Sequence, residues 1–233
     1  MARPRIIVFA SGVKDGGSGF ENLVMATRSG SPASFRVNEL DAEIVAVVSN
    51  HEHGSIRKRA DRLGIPFIYF NPSEHTNIPK YVSMSYREIV EKSGAEWVVL
   101  SGWLKQVHGL DPARTFNIHP ALLSQLGGRF GGHGMFGNKV HEAVAAALER
   151  GEINESGFTM HFVTEEMDRG PAFFECKVPL RKGMTAEEIE TVVKAAEHEW
   201  QPKITNMVVH GEIRWDGKNP ASLVVPVELA KPK

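Results

Sequence analysis

Short, nearly unbroken apolar runs recur through the first half of the chain: Ile6-Ile7-Val8-Phe9-Ala10, Ile44–Val48, Phe67–Phe70 after Pro66, and Trp97–Leu100. Continuous rather than alternating hydrophobicity marks strands covered on both faces, as in a parallel sheet between helix layers. The segments between them carry helical spacing. Gly19–Arg28 holds Phe20, Leu23 and Val24 on one side, Ile56–Leu63 ends at Gly64, and Tyr81–Lys92 is followed by Gly94. A glycine just past a periodic run is a helix stop, because it adopts the left-handed conformation that ends the ladder. This alternation predicts βαβ units with right-handed crossovers.

The second half has a different rhythm. Phe116-Asn117-Ile118-His119 ends at Pro120, and a glycine-rich loop spans Gly127–Gly137. Lys139–Glu149 reads as an alanine-rich helix stopping near Gly151. Phe158–Val163 alternates and reads as a strand, with Ala172–Leu180 as its antiparallel partner. Thr185 and Glu188 have the spacing of a capping box, opening a helix to about Trp200. Ile213–Trp215 reads as a small last strand, and 221–233, with Pro226 and Pro232, as an irregular tail. No repeat or linker divides the chain. The expectation is one domain over 1–233, α/β, with a Rossmann-like, mostly parallel sheet, helices on both faces, and an antiparallel strand pair added in the second half.

Composition narrows the classes. The chain has 233 residues, 42% hydrophobic and 24% charged, with formal net charge −1. That is enough apolar material for a sizeable core. No wide basic face is available to meet a phosphate backbone, so nucleic acid is not an expected partner. No apolar run is long enough for a membrane span, and the first one enters a glycine loop as a strand does, unlike a signal peptide. The single cysteine, Cys176, excludes an intrachain disulfide. Its apolar surroundings predict a buried small hydrophobe, and a reducing cytoplasm fits.

Two places carry candidate chemistry. The first is the loop Ser11–Gly19, SGVKDGGSG, between a predicted strand and a predicted helix. It lacks the Gly-Lys-Ser/Thr ending of a P-loop. It also lacks the third glycine of a dinucleotide fingerprint, where Asn22 stands, and the second strand ends in Ser49-Asn50 rather than an acid. A glycine loop at a helix N-terminus still suits an anion such as a phosphate, because backbone N–H groups can converge on it. The second place is Asn117-Ile118-His119-Pro120. Residues two apart on a strand share a face, and ligands of open α/β sheets collect at the carboxyl ends of strands. An amide and a protonated imidazole there could both donate to one developing oxyanion, with a nearby carboxylate keeping the histidine charged. Glu165, Glu166 and Asp168 crowd the turn between the later predicted strands, and spacing does not choose among them. His51 and His53, like His133, His141 and His161, lack a third ligand at metal-binding spacing, so no metal is expected. No nucleophile elbow is present, and Cys176 has no histidine motif beside it.

In order, IIVFASG, VVSN, VVLSGWLK, FNIHPALL, HFVTEEMDRGP and AEH run through most of the chain, from about Arg5 to Gly217. In these segments the sequence resembles the phosphoribosylglycinamide formyltransferase branch of the folate-dependent formyltransferases. The resemblance implies transfer of a formyl group from 10-formyltetrahydrofolate to the amine of glycinamide ribonucleotide, in de novo purine biosynthesis. It implies a cytoplasmic enzyme, monomer or homodimer, using no metal. It makes Asn117, His119 and Asp168 the catalytic set, with Asp168 raising the histidine pKa and ordering a water. Gly17, Ser18 and Gly19 would hold the substrate phosphate. Gly102 and Glu197 would lie against the substrate, Glu197 near its amine and ribose. Leu104, Lys105, Gln106 and Val107 would read the pterin, with Asn117 beside them and Val163 and Thr164 in the loop closing the far side. Lys80 is the candidate for the folate tail, with Val82 an equally placed position.

Several residues depart from the family pattern. Val13–Gly16 is an insertion, Gly19 stands where Asn is common, Lys105 replaces a usual Arg, and Gly127–Gly137 is extended. These departures leave open a relative with the same donor and another acceptor: a sugar nucleotide, an aminoacyl-tRNA, or water, the last making a hydrolase. The tRNA enzyme usually adds a C-terminal barrel, for which few residues follow Trp200. The hydrolase usually begins with a regulatory domain, whereas here the first strand starts at once. A binding module that kept the pocket is the non-enzymatic alternative.

Overall fold

The computed structural model describes residues 2–12, 14–28, 39–72 and 86–229. The chain divides into two compact units, Met1–Thr115 and Phe116–Lys233. In the first, β1 (Arg5–Phe9) pairs in parallel with β2 (Glu43–Ser49) and with β4 (Trp97–Ser101), and β2 pairs in parallel with β3 (Phe67–Tyr69). Spatial order is β3-β2-β1-β4. The continuous apolar runs are therefore strands, and Ile6–Phe9 are wholly buried. Helices α1 (Ser18–Ala26), α2 (Ser55–Leu63) and α3 (Tyr86–Ser93) follow β1, β2 and β3. Gly64 ends α2 in the left-handed conformation, as its position predicts. The start expected for α3 at Tyr81 lies outside the described residues.

The second unit is built on antiparallel pairing. β5 (Thr115–His119) pairs with β6 (Glu155–Phe162), which pairs with β7 (Ala172–Pro179). α4 (Asn138–Glu149) and α5 (Ala186–Val209) complete it. Where β5 and β6 pair, one face is apolar, with Phe116, Ile118, Met160 and Phe162 buried and Phe158 continuing it along β6. The other face carries Asn117, His119, Thr159 and His161. Burial of the apolar face fixes the register, since a one-residue slip would exchange the two faces. The seven strands, parallel in the first unit and antiparallel in the second, and the five helices are the Rossmann-like class expected from the hydrophobic pattern.

Three expectations are corrected. α5 does not stop near Trp200 but runs through Pro202 to Val209. Proline interrupts the helical ladder at one bond, yet Gln201, Pro202, Ile204, Thr205, Val208 and Val209 are all buried, and that packing carries the helix past it. The capping box at its start is present as expected, with Thr185 and Glu188 exchanging hydrogen bonds. Ile213–Trp215 forms no strand, only a single bridge from Arg214 to Val224. Cys176 is half-buried rather than buried. It follows Phe174 on the same face of β7, and Trp200, which covers Phe174, gives that face its shelter.

Candidate active site

Antiparallel register brings the polar residues of β5 and β6 together. Asn117 is opposite His161 and His119 is opposite Thr159. Directly opposed residues of such a pair have side chains on one face within contact distance. The turn after β6 adds Asp168, whose backbone sits at φ 56, a left-handed conformation rare for a residue with a Cβ. Of the three acids in that turn, Glu165 and Glu166 are exposed, whereas the Asp168 side chain is only 8% exposed. Its Oδ2 lies 3.5 Å from Nδ1 of His119, and its Oδ1 lies 3.4 Å from Nε2 of His161.

Hydrogen bonding fixes the protons. Nε2 of His119 is 2.7 Å from the carbonyl oxygen of Phe130, which can only accept, so Nε2 carries a hydrogen. Nδ1 of His161 is 2.9 Å from the Phe162 carbonyl oxygen and carries one for the same reason. Nε2 of His161 lies 3.2 Å from Asn117 Nδ2 and faces Asp168, and Asn117 Nδ2 also donates to Asp168 Oδ1 at 3.4 Å. The backbone N–H of Gly132 donates to Asp168 Oδ2 at 2.9 Å. Burial opposes ionisation of Asp168, but the His161 hydrogen bond, the nearby His119 and the Gly132 amide outweigh it and hold the carboxyl below its ordinary range.

His119 differs from the sequence expectation. Asp168 does push its pKa upward, and so does the Phe130 carbonyl. Burial is the stronger effect, and with the neighbouring His161 it leaves the imidazole below its ordinary value. At neutral pH His119 is thus uncharged, with Nε2–H spent on Phe130 and the Nδ1 lone pair facing the carboxylate.

In the first unit, the loop before α1 is braced from behind. Gly17 caps α1 at φ 91, and a Cβ there would meet Ile56 Cδ1 at 2.3 Å, so only glycine fits. Arg59 on α2 donates to the carbonyls of Gly16 (3.1 Å) and Asp15 (3.4 Å), and it pairs with Glu21. The leading N–H groups of a helix have no intrahelical acceptor, so Ser18 and Gly19 open α1 as donors at its positive end. Ser11 ties this loop to the chain after β4. Its N–H donates to the Gly102 carbonyl at 2.9 Å, and its hydroxyl donates to Asn50 at 2.6 Å and accepts from Leu104 N–H at 3.2 Å. Leu104 is 41% exposed and Val107 is buried, while the Gln106 carbonyl accepts from the Tyr86 hydroxyl at 2.9 Å.

A family model described as formyl transferase matches residues 4–205. The chain belongs to the formyl transferase family. It is 31% identical over 217 residues to the chloroplastic phosphoribosylglycinamide formyltransferase of Arabidopsis thaliana, covering 91% of this chain and 68% of that protein. With the corresponding protein of Vigna unguiculata it shares 32% identity over 219 residues, 91% of this chain and 63% of the relative, just under two thirds of its length. Among solved structures, glycinamide ribonucleotide transformylase 1 of Symbiobacterium toebii superposes with a TM-score of 0.70 at 26% identity, covering 91% of this chain and 90% of that one. The phosphoribosylglycinamide formyltransferase of Coxiella burnetii gives a TM-score of 0.73 at 24% identity, covering 96% and 100%, a likeness of fold.

The residues that the family resemblance singles out fall in separate places. Asn117, His119 and Asp168 are brought together. Val163 and Thr164 follow β6 at the start of the Asp168 turn, where the Thr164 hydroxyl donates to the Glu166 carbonyl. Gly17–Gly19, Gly102 and Leu104–Val107 belong to the first unit. Lys80 and Val82 lie outside the described residues. Glu197 is on α5, partly open to solvent yet densely surrounded; burial pushes its carboxyl up to about 7, with Lys194 opposing and Glu190 adding to the rise.

Sequence reading missed several participants. His161 alternates with Phe162, and only the strand register shows which face it takes. Thr159 accepts from Leu123 N–H (2.9 Å) and donates to the Ala121 carbonyl (2.8 Å), while Glu175 holds Ser124 through its N–H (3.0 Å) and hydroxyl (2.6 Å). These bonds pin the chain leaving His119. Among the described residues no group of three or more His, Cys, Asp or Glu side chains could hold a metal, and no helix is long and apolar enough to cross a membrane.

Proposed function

We propose that the chain moves a formyl group from 10-formyltetrahydrofolate to the amine of glycinamide ribonucleotide, a step of purine biosynthesis. The observation that carries this reading is the quartet of half-buried Asn117 with the buried side chains of His119, His161 and Asp168, His119 Nδ1 lying 3.5 Å from a carboxylate. The amine attacks the formyl carbon, a new C–N bond forms, and the carbonyl oxygen gains negative charge. Asn117 gives that oxygen one of its amide hydrogens, exchanging a long bond to Asp168 for a charge-assisted one. A fixed donor of this kind lowers the barrier by about 3 kcal/mol. The attacking nitrogen must lose a proton and the folate nitrogen must gain one as its bond to the formyl carbon breaks. Neutral His119 accepts a proton at Nδ1, and the resulting imidazolium is held by Asp168. From there the proton returns through water to the leaving nitrogen.

Gly17, Ser18 and Gly19 take the substrate phosphate at the start of α1. Leu104, Lys105, Gln106 and Val107, with Val163 and Thr164, recognise the pterin, and Gly102 and Glu197 contact the ribonucleotide. Lys80 is assigned the folate tail. Glu197, with a carboxyl near 7, can exchange a proton beside the amine at neutral pH. The chain acts as one formyltransferase domain over 1–233, in the cytoplasm, as a monomer or homodimer with no metal. Purified protein is tested with 10-formyltetrahydrofolate and glycinamide ribonucleotide against buffer alone. Amine-dependent loss of the formyl donor supports the reading, and formate release indifferent to the amine replaces it with hydrolysis.

A further inference from the structure

Both members of the His119–Asp168 pair are held by the backbone of one glycine-rich segment, 128–132. Phe130 gives its carbonyl to His119 Nε2–H, and Gly132 gives its N–H to Asp168 Oδ2. The Phe130 ring is wholly buried and anchors the segment. At Gly131 a Cβ would meet Leu123 Cδ2 at 2.3 Å and Asp168 Cβ at 3.2 Å, so a side chain there must push against both. From the other side Arg169 donates through Nη1 to the Gly128 carbonyl at 3.3 Å. Asp168 and Arg169 are adjacent, and in extended backbone neighbouring side chains diverge. The left-handed φ of 56 at Asp168 turns the chain so that both reach the same loop. A strained conformation of this kind persists where its surroundings over-determine it.

We propose that the segment Gly128–Gly132, clamped by Arg169, is a positioning clasp that fixes the Nε2–H form of His119 and the orientation of Asp168. It rests on the reading of those two residues as the proton-handling pair. Its physical content is selective. A backbone carbonyl on Nε2 leaves the lone pair of His119 at Nδ1, the nitrogen on the Asp168 side, so the base stands where the carboxylate can hold the imidazolium that forms. Arg169 and Gly131 act through that pair and need touch no substrate.

The test uses the full chain with 15N-labelled histidine. Ring-nitrogen shifts of His119, assigned by comparison with His119→Gln, report which nitrogen is protonated at neutral pH. Arg169 is exposed, so Arg169→Ala should fold, and Arg169→Lys keeps the charge without the fork. The clasp predicts that wild type shows the Nε2–H form and that Arg169→Ala mixes in the Nδ1–H form. In formyl transfer, kcat should fall about tenfold in Arg169→Ala with both KM values nearly unchanged, and Arg169→Lys should recover part of the loss. Gly131→Ala, which displaces the segment by an ångström or so, should lose about 100-fold in kcat. Wild-type nitrogen shifts in both Arg169→Ala and Gly131→Ala overturn the clasp, as does a loss that falls on KM alone. The nitrogen readout needs no turnover, so a wild type inactive toward glycinamide ribonucleotide counts against the proposed acceptor and leaves the clasp to be judged by the shifts.

Discussion

Two glycine-rich loops in this chain look alike in composition and serve opposite ends. The loop before α1 spends its carbonyls inward, on Arg59, and opens a helix whose leading N–H groups are donors. The loop at 127–137 spends its backbone on side chains of the same unit, a carbonyl on His119 and an N–H on Asp168. Glycine serves each for a different reason. At Gly17 it is a left-handed cap pressed against Ile56; at Gly131 it is close approach of backbone to Leu123 and Asp168. In the proposed reading one loop meets the substrate phosphate and the other holds the groups that act on the substrate. Counting glycines separates neither role, whereas following the backbone donors and acceptors does.

If this contrast is right, damage near the second loop should fall on turnover and damage to the first on substrate affinity. The largest effect is expected from His119→Ala, which removes the proton acceptor and should lower kcat about 1,000-fold with the fold intact by circular dichroism. Near-normal turnover in that variant would dissolve the proposed mechanism. Asp168→Asn should cost about 100-fold and move the acid limb of the pH–rate curve. The sign follows from the electrostatics: His119 works unprotonated, Asp168 raises its pKa, and losing that charge lets burial lower it further. The acid limb should therefore shift to lower pH, and a curve that stays in place would remove Asp168 from the proton path. Gly17→Ala should raise KM for the ribonucleotide about tenfold while sparing kcat. A fall in kcat at unchanged KM would erase the distinction between the loops.

The smallest effect concerns stability. The Glu197 carboxyl is raised from 4.5 to about 7. The folded state keeps a proton that the unfolded state has already released, so this contribution is complete below about pH 4.5 and is lost as pH climbs toward 7. Glu197→Gln should remove that loss and leave the protein more stable at pH 8, on the order of 1 kcal/mol, reduced from the full shift because the side chain is partly solvated. Equal melting temperatures at pH 8 would show that Glu197 is already at ease in its charged form.

What the sequence determined by itself was local. Unbroken apolar runs announced parallel strands, buried in β1, β2 and β4 but only half-buried in the edge strand β3; Gly64 marked a helix end, and Thr185 with Glu188 marked a helix start, because each signal is a property of neighbouring residues. Asn117 and His119 could be paired on one face for the same reason, since alternation along a strand is local geometry. Spacing left Asp168 level with Glu165 and Glu166, and the family resemblance picked it out; its burial beside His119, the recruitment of His161, the neutral state of His119 and the passage of α5 through Pro202 were decided only by tertiary structure. Each depends on something outside its own segment: the register of β5 on β6, a left-handed turn stabilised by its partners, or desolvation supplied by packing. Burial and long-range pairing are sums over the folded chain, and no window of sequence contains them.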